Sequence, residues 1–202
     1  MRLNTSSCFT HSKFILVLLF TITLAGCKDE IEEPTNSFEY SGLTYQIRDA
    51  IIQDIGPVDI INDDESKNTH HGYLVGFSDG DIQNDKEYIA EDARYVMVFY
   101  AYSPLITDTI GFNEGIYNYG SWLDFLDGDE DFLDETFFTV SSIIFDDDFD
   151  GLIYSDEETK EITGGIVNIQ GTKPSYDMFF RLDLSLGKKI NGNYSGLFEF
   201  VN

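Results

Sequence analysis

The clearest hydrophobic pattern lies near the C-terminus, where apolar and polar residues alternate. Apolar side chains occupy every second position of SYDMFFRLDLSL, namely Met178, Phe180, Leu182, Leu184 and Leu186. The following segment, GKKINGNYSGLFEFV, repeats the alternation with Ile190, Tyr194, Phe198 and Phe200. Because successive side chains of a strand point to opposite faces, both segments predict strands with one buried face. The residues 187–189 between them predict the tight connection of a hairpin.

Shorter runs upstream are rich in aromatic and β-branched residues and are bounded by Gly, Asp, Asn or Pro, which is typical of strands. They cover residues 38–47, 72–77, 94–102, 115–119, 136–145 and 163–169. About eight strands at regular spacing predict an all-β domain built as an antiparallel β-sandwich. A closed, lipocalin-like barrel is the alternative, because only closure of the sheet distinguishes the two.

One segment has the period of a helix. In residues 46–55 the isoleucines Ile47, Ile51, Ile52 and Ile55 fall at helical spacing, and Gly56-Pro57 follows as a stop signal. We therefore expect a single short helix near the start of the domain.

The N-terminal pattern is different. Residues 14–24 are all apolar or threonine and follow Arg2 and Lys13, as in a secretory signal peptide. A helix of about eleven residues spans roughly 17 Å, which is short of the ~30 Å core of a bilayer. The pattern therefore favours a cleaved signal over a permanent transmembrane helix.

The signal ends in Leu24-Ala25-Gly26-Cys27, which resembles the lipobox of bacterial lipoproteins. The resemblance implies that residues 1–26 are removed and that Cys27 becomes an acylated N-terminus carrying a diacylglyceryl thioether. Several acyl chains would anchor the protein stably in a membrane. The alternative is an ordinary secretory signal followed by a chance cysteine.

An acidic run follows the cysteine, with Asp29, Glu30, Glu32 and Glu33. It resembles the surface-export signal of lipoproteins in Bacteroidota, which implies an outer-membrane location facing the cell exterior. The alternative is a plain solvated tether. We predict a flexible acidic tether over residues 27–37 and a single all-β domain over residues 38–202.

Several turn glycines and aromatic residues carry a wider resemblance. An N-terminal F-x-Y-x-G-x-x-Y (Phe38 to Tyr45), a later G-x-Y (Gly115 and Tyr117) and a C-terminal GK-x-I-x-G-x-YSG hairpin (residues 187–196) occur in this order. In these motifs the sequence resembles small surface lipoproteins from Bacteroidota, a family of unknown function. The resemblance implies a fold and a location, and no chemistry.

Composition excludes some partners. The formal charge of the chain is −25, which repels nucleic acid, so we predict no nucleic-acid partner. Disorder is disfavoured because 17 Phe and 12 Tyr supply a core. The two cysteines are Cys8, within the signal, and Cys27, so no disulfide is expected.

The segment DDDFDGLIYSDE matches a calcium-binding loop. Asp146, Asp148 and Asp150 take the first three ligand positions, Leu152 supplies a backbone carbonyl and Glu157 closes the loop. The flanking segments FFTVSSIIF and EITGGIVNI are typical of strands, so the helices of an EF-hand are missing. The pattern predicts a Ca²⁺ site, and the alternative is a solvated acidic loop between two strands.

Two further groups suggest chemistry. Tyr117 and Tyr119 share one face of a predicted strand with Trp122 close by, and such aromatic platforms can stack on sugar rings; core packing is the alternative. Residues 76–80, GFSDG, match the G-x-S-x-G of a nucleophile elbow, but that motif needs a helix after it and a later histidine. We predict a turn there, and no catalytic residue.

Together these features predict a lipid-anchored cell-surface protein with a binding or structural role and a calcium-stabilised loop, and not an enzyme. Its expected partners are the membrane, through Cys27, and a glycan or surface protein. Two alternatives remain: a lipocalin-like carrier of a small apolar ligand, and a glycan-active enzyme that uses a pair of carboxylates.

Overall fold

The computed structural model describes residues 36–60, 68–83, 89–105, 113–121, 134–154 and 158–201. These residues belong to one compact unit, Pro34–Asn202. Strands make up most of them, and no α-helix occurs in these ranges. The all-β prediction is therefore confirmed.

The strands of the described residues are numbered in chain order. They are β1 (Ser37–Tyr40), β2 (Leu43–Gln46), β3 (Asp49–Val58), β4 (His70–Ser78), β5 (Asp81–Ile82), β6 (Ala90–Glu91), β7 (Tyr95–Pro104), β8 (Gly115–Tyr119), β9 (Phe137–Phe145), β10 (Leu152–Ile153), β11 (Glu158–Thr172), β12 (Ser175–Leu184), β13 (Lys189–Leu197) and β14 (Glu199–Val201).

Eleven of these strands form one mixed sheet in the order β14-β3-β4-β7-β9-β8-β11-β12-β13-β1-β2. Most neighbours are antiparallel, and β14–β3 and β8–β9 are parallel pairs. The sheet curls into a half-barrel. Strand β14 lies at one edge of the sheet, and β13 lies near the opposite edge. Only Phe198 separates these two strands in the sequence, so the chain connection holds the two edges of the sheet close together.

The predicted sandwich of two facing sheets differs from this single curled sheet. The reason lies in β9, which pairs with β7 on one side and with β11 on the other. The hydrogen-bonded ladder is therefore continuous where a sandwich would need a break. Curling brings Phe77 of β4 against Phe180 of β12 and Tyr194 of β13, with ring centroids 5.9 and 5.5 Å apart.

The C-terminal hairpin is observed as predicted, except at the end of each segment. The second strand, β13, ends at Leu197, so Phe198 lies beyond it and Phe200 belongs to β14, which pairs with β3. The inward-facing residues Met178, Phe180, Leu182 and Leu184 are all buried in the main core. Leu186 is 98% exposed, because it lies in a 3₁₀ turn, Ser185–Gly187, that follows β12. The strict alternation therefore ends at Leu184, two residues before the apolar pattern does.

The predicted helix over residues 46–55 is wrong, since most of this segment lies in β3. Ile52 faces the main core and pairs with Val75 of β4. Ile51 points to the other face, where it lies beside Gly76 together with Ile82 of β5. Both faces of the strand are covered here, so consecutive isoleucines are buried and imitate helical spacing.

A small sheet of three strands, in the order β10-β6-β5, covers the outer face of β3 near Ile51. A second hydrophobic cluster lies between it and the main sheet and contains Ala90, Ala93, Val96, Ile144 and Ile153. Val96 of β7 and Ile144 of β9 are direct cross-strand partners. This cluster fixes the loop after β9 against the body of the domain.

Candidate functional site

The acidic loop after β9 folds back on itself through its own aspartates. Asp146 accepts hydrogen bonds from the backbone N–H groups of Phe149 (2.7 Å) and Gly151 (3.0 Å). Asp148 and Asp150 each accept the N–H two residues further on, at 3.1 and 2.7 Å. These bonds wind the loop so that its carboxylates gather on one side.

The gathered carboxylates lie close enough together to share one cation. One carboxylate oxygen from each of Asp146, Asp148 and Asp150 lies within 4.8 Å of the other two. Oxygens that share a Ca²⁺ at up to about 2.6 Å each can be at most about 5.2 Å apart. The donor set of hard oxygens also suits Ca²⁺, so these three residues fit the ion that their spacing in the sequence predicts.

The other two predicted ligands are placed differently. Leu152 begins β10 and pairs with Glu91 of β6, so its backbone is held by the small sheet. Its neighbour Ile153 is buried in the second cluster and anchors the end of the loop. Glu157 lies outside the described residues.

A cleft of about 290 Å³ opens beside this loop. Its walls are β2, the start of β7 and the end of β9, and its lining residues are Leu43, Thr44, Tyr45, Arg94, Phe145, Asp146 and Phe149. Asp146 therefore belongs to both the carboxylate cluster and the cleft. Phe149 is 88% exposed at the tip of the loop, and Leu43 is 61% exposed on the opposite wall.

The floor of the cleft is aromatic. Tyr45 stacks on Phe38 at 5.0 Å between centroids and meets Phe145 edge-on at 5.7 Å. Burial raises the pKa of the Tyr45 phenol, and the nearby charge of Arg94 opposes that rise. Tyr45 is therefore neutral and offers the cleft an apolar ring face.

Arg94 supplies the positive charge in this lining. Its guanidinium lies over the Tyr45 ring, with Cζ 5.5 Å from the centroid. Its Nε–H and its backbone N–H both donate to the buried carboxylate of Asp79, at 2.6 and 2.8 Å. The charge is thus held in place and compensated by Asp79, while the side chain remains 62% exposed.

The predicted glycan platform is wrong for Tyr117. Its side chain is 0% exposed, and its hydroxyl donates to the Asn113 carbonyl at 2.9 Å. Burial raises the pKa of Tyr117 far above its ordinary value, although a hydrogen bond with Ser103 opposes the shift. Tyr119 meets Phe138 edge-on at 5.6 Å and packs against the core. Trp122 lies outside the described residues.

The first three residues of the G-x-S-x-G segment end β4, and the chain bends only at Asp79 and Gly80, where the turn was predicted. Ser78 ends β4 with a buried hydroxyl that donates to the Tyr95 carbonyl at 2.9 Å and accepts from the Gly80 N–H at 3.0 Å. Its neighbour Asp79 is the residue that holds Arg94. Asp79 of this motif therefore holds Arg94, one of the residues that line the cleft, in position.

Aromatic rings fill the centre of the half-barrel, where a carrier would hold its ligand. Phe198 packs edge-on against Tyr194 at 4.9 Å and against Tyr176 at 5.8 Å. Phe77 meets both Phe99 and Phe198 within 6.1 Å. Two residues that line the cleft beside the acidic loop, Tyr45 and Phe145, also pack against this core.

Sequence reasoning identified Asp146 but missed Leu43, Tyr45, Arg94 and Phe145 of the cleft. They come from three distant parts of the chain, and nothing in their spacing connects them. Phe149 did carry a signal, because a phenylalanine among aspartates has no periodic apolar partner.

The predicted anchor Cys27, the signal over residues 1–26 and most of the tether over residues 27–37 lie outside the described residues. Within the described ranges, no helix has the length and apolar character needed to cross a bilayer. Comparisons of the chain with protein-family models, with curated proteins and with solved structures give no match.

Proposed function

We propose that this chain is a lipid-anchored cell-surface protein that binds a partner at the cleft beside its acidic loop. The lipobox-like sequence ending at Cys27 and the acidic run after it support the anchor and the outward display. The mechanism is one of positioning: acyl chains hold the protein at the outer membrane, the tether sets its reach, and the β domain presents the cleft. No catalytic step is proposed.

We further propose that Ca²⁺ binds to the loop and fixes one wall of the cleft. The single observation that supports this is the cluster of one oxygen each from Asp146, Asp148 and Asp150 within 4.8 Å of one another. Asp146 also lines the cleft, which connects the proposed site to the cleft wall. The ion would be held by Asp146, Asp148, Asp150, the Leu152 carbonyl and Glu157. It would supply positive charge that offsets the repulsion between these carboxylates.

The test is a thermal melt of the purified chain with millimolar Ca²⁺ and with a chelator. An ion at about a hundred times its dissociation constant adds about 2.7 kcal/mol, which for a chain of this size is a rise of roughly 5–10 °C. Asp148→Asn and Glu157→Gln each remove a ligand and should abolish the rise. Mg²⁺ should raise the melting temperature less, because it demands a stricter octahedral geometry.

Asp147→Asn is the matched control, because it removes one charge from the same loop at a residue outside the cluster. It should keep the full calcium response. A melting temperature that ignores Ca²⁺, or a response that Asp147→Asn removes as completely as Asp148→Asn, would show that the loop is only a solvated acidic turn.

A further inference from the structure

The cleft runs along a strand edge that is open within the described residues. There β2 pairs with β1 on one side only and ends the main sheet. Ser41 and Gly42 form the two-residue turn between them, with φ of 52° and 80°. In such a hairpin the closing pair, Tyr40 and Leu43, is hydrogen-bonded, so the N–H and C=O of the next residue, Thr44, point away from β1.

Apolar side chains flank this open edge. Leu43 and Tyr45 stand on the cleft side of β2, and Phe149 faces them from the tip of the acidic loop. An extended peptide that paired with Thr44 would place alternate side chains into the cleft, whose volume of about 290 Å³ suits one large apolar residue. The backbone edge and the cleft are therefore complementary to the same kind of ligand.

Charge selects among such peptides. The chain carries a formal charge of −25, and Asp147, which lies outside the proposed Ca²⁺ cluster, is an exposed carboxylate on the loop beside the cleft. The charge of Arg94 is already compensated by Asp79. A basic peptide is attracted by this field, whereas a second copy of the chain, or its own acidic residues 28–35, would be repelled.

We propose that β2 binds an extended, basic peptide segment of a partner protein, which adds a strand at Thr44 and inserts an apolar side chain between Leu43 and Phe149. This inference deepens the proposed function, because it names the partner of the same cleft. The main-chain bonds give affinity, the cleft selects the apolar residue and the acidic surface selects its basic neighbours.

The probe is a fluorescein-labelled peptide of about nine residues, the length of a long strand, with alternating lysine and valine and one central phenylalanine. Fluorescence anisotropy with the full chain in detergent measures its affinity. We expect saturable binding that weakens as salt is raised. The same peptide with glutamate in place of lysine should not bind.

Two pairs of variants locate the binding. Thr44→Pro removes the free N–H donor and should weaken binding about tenfold, whereas Thr44→Val keeps the backbone and should not. Phe149→Ala should weaken binding about tenfold, whereas Phe179→Ala, which removes an exposed ring from β12, should have no effect. Equal affinity for all four variants, or for the acidic peptide, would overturn the proposal.

Backbone amide exchange provides a second readout if Thr44→Pro does not fold. The Thr44 N–H should exchange rapidly in the free protein and become protected when the basic peptide is added. Protection without peptide would mean that the edge is already covered by the chain itself. Protection that depends on protein concentration would mean that a second copy pairs there, and either result contradicts the proposal.

The failure of this inference is distinguishable from failure of the calcium loop. Peptide affinity is measured both with Ca²⁺ and with a chelator. A normal calcium response without peptide binding overturns the inference alone. Peptide binding in a chain whose melting temperature ignores Ca²⁺ overturns the calcium site alone.

Discussion

Asp79 accepts two hydrogen bonds from a single residue, Arg94: one from the backbone N–H at 2.8 Å and one from Nε–H at 2.6 Å. The two residues lie at the ends of β4 and β7, which are neighbours in the sheet. The carboxylate is buried and the guanidinium is largely exposed above Tyr45. This pair fixes the start of β7 and the one arginine of the cleft lining at the same time.

Removal of the Asp79 carboxylate should therefore destabilise the domain and release Arg94. Asp79→Ala leaves two donors of Arg94 without their acceptor, and we expect a loss of about 1–3 kcal/mol in the free energy of unfolding. Urea denaturation measures it. Asp81→Ala, an exposed carboxylate nearby, is the control and should change stability by less than about 0.5 kcal/mol. Equal losses in both variants would contradict the anchoring role of Asp79.

Gly192 lies in β13 where two large rings leave no room for a side chain. A Cβ at this position would be 2.5 Å from the Phe38 Cβ and 2.6 Å from the Phe180 ring. Gly192→Ala should cost about 1–3 kcal/mol by overpacking, which lowers the melting temperature by roughly 2–10 °C. At Gly164 a Cβ would meet the Asp183 side chain at 3.3 Å, and this partly exposed side chain can shift, so Gly164→Ala should cost less than Gly192→Ala. A neutral Gly192→Ala would show that this part of the core is loosely packed.

Alkaline pH should unfold the domain through its buried tyrosines. Burial is the main reason that the pKa values of Tyr95 and Tyr117 lie far above the ordinary value of 10.0. Above about pH 10 the unfolded chain loses these protons while the folded chain retains them, so the unfolded state binds fewer protons and stability falls as pH rises. Each tyrosine contributes about 1.4 kcal/mol per pH unit in that range.

The measurement is a set of urea melts between about pH 8 and 11, with phenolate absorbance recorded in parallel. Tyr95→Phe should give a shallower alkaline loss of stability than the unchanged chain, although it removes the bond from the Tyr95 hydroxyl to the Gln46 carbonyl. An unchanged alkaline slope in both Tyr95→Phe and Tyr117→Phe would mean that these phenols ionise in the folded state.

The proposed lipid anchor predicts a specific chemical change at Cys27. In its native host the mature chain should begin at Cys27, with a diacylglyceryl group joined to the sulfur by a thioether and an acyl group on the amine. Mass spectrometry of the N-terminal peptide measures this. Cys27→Ser should leave the chain unacylated, whereas Lys28→Ser should be acylated normally. A free thiol at Cys27 in the mature protein would remove the basis for surface anchoring.

Much of the fold is local and follows from the sequence. Period-two alternation in β12 and β13 predicts both strands and their buried faces, because one face meets the core and the other meets water. The convergence of Asp146, Asp148 and Asp150 is also local, since each carboxylate binds the backbone of its own loop. The sequence by itself thus determined an all-β domain and an acidic loop with its carboxylates together.

Only the tertiary structure decided what lies on the second face of each strand. The spacing of the isoleucines in β3 matches that of a helix, but in the structure Ile51 is buried on the outer face beside Ile82 of the small sheet. The spacing of Tyr117 suggests an exposed platform, but its side chain is buried inside the curled sheet. The cleft joins Tyr45, Arg94 and Phe149, which are neighbours only because the β1–β2 hairpin packs against the ends of β7 and β9. Such contacts depend on how the sheet curls, and periodicity along the chain records only which residues share a face.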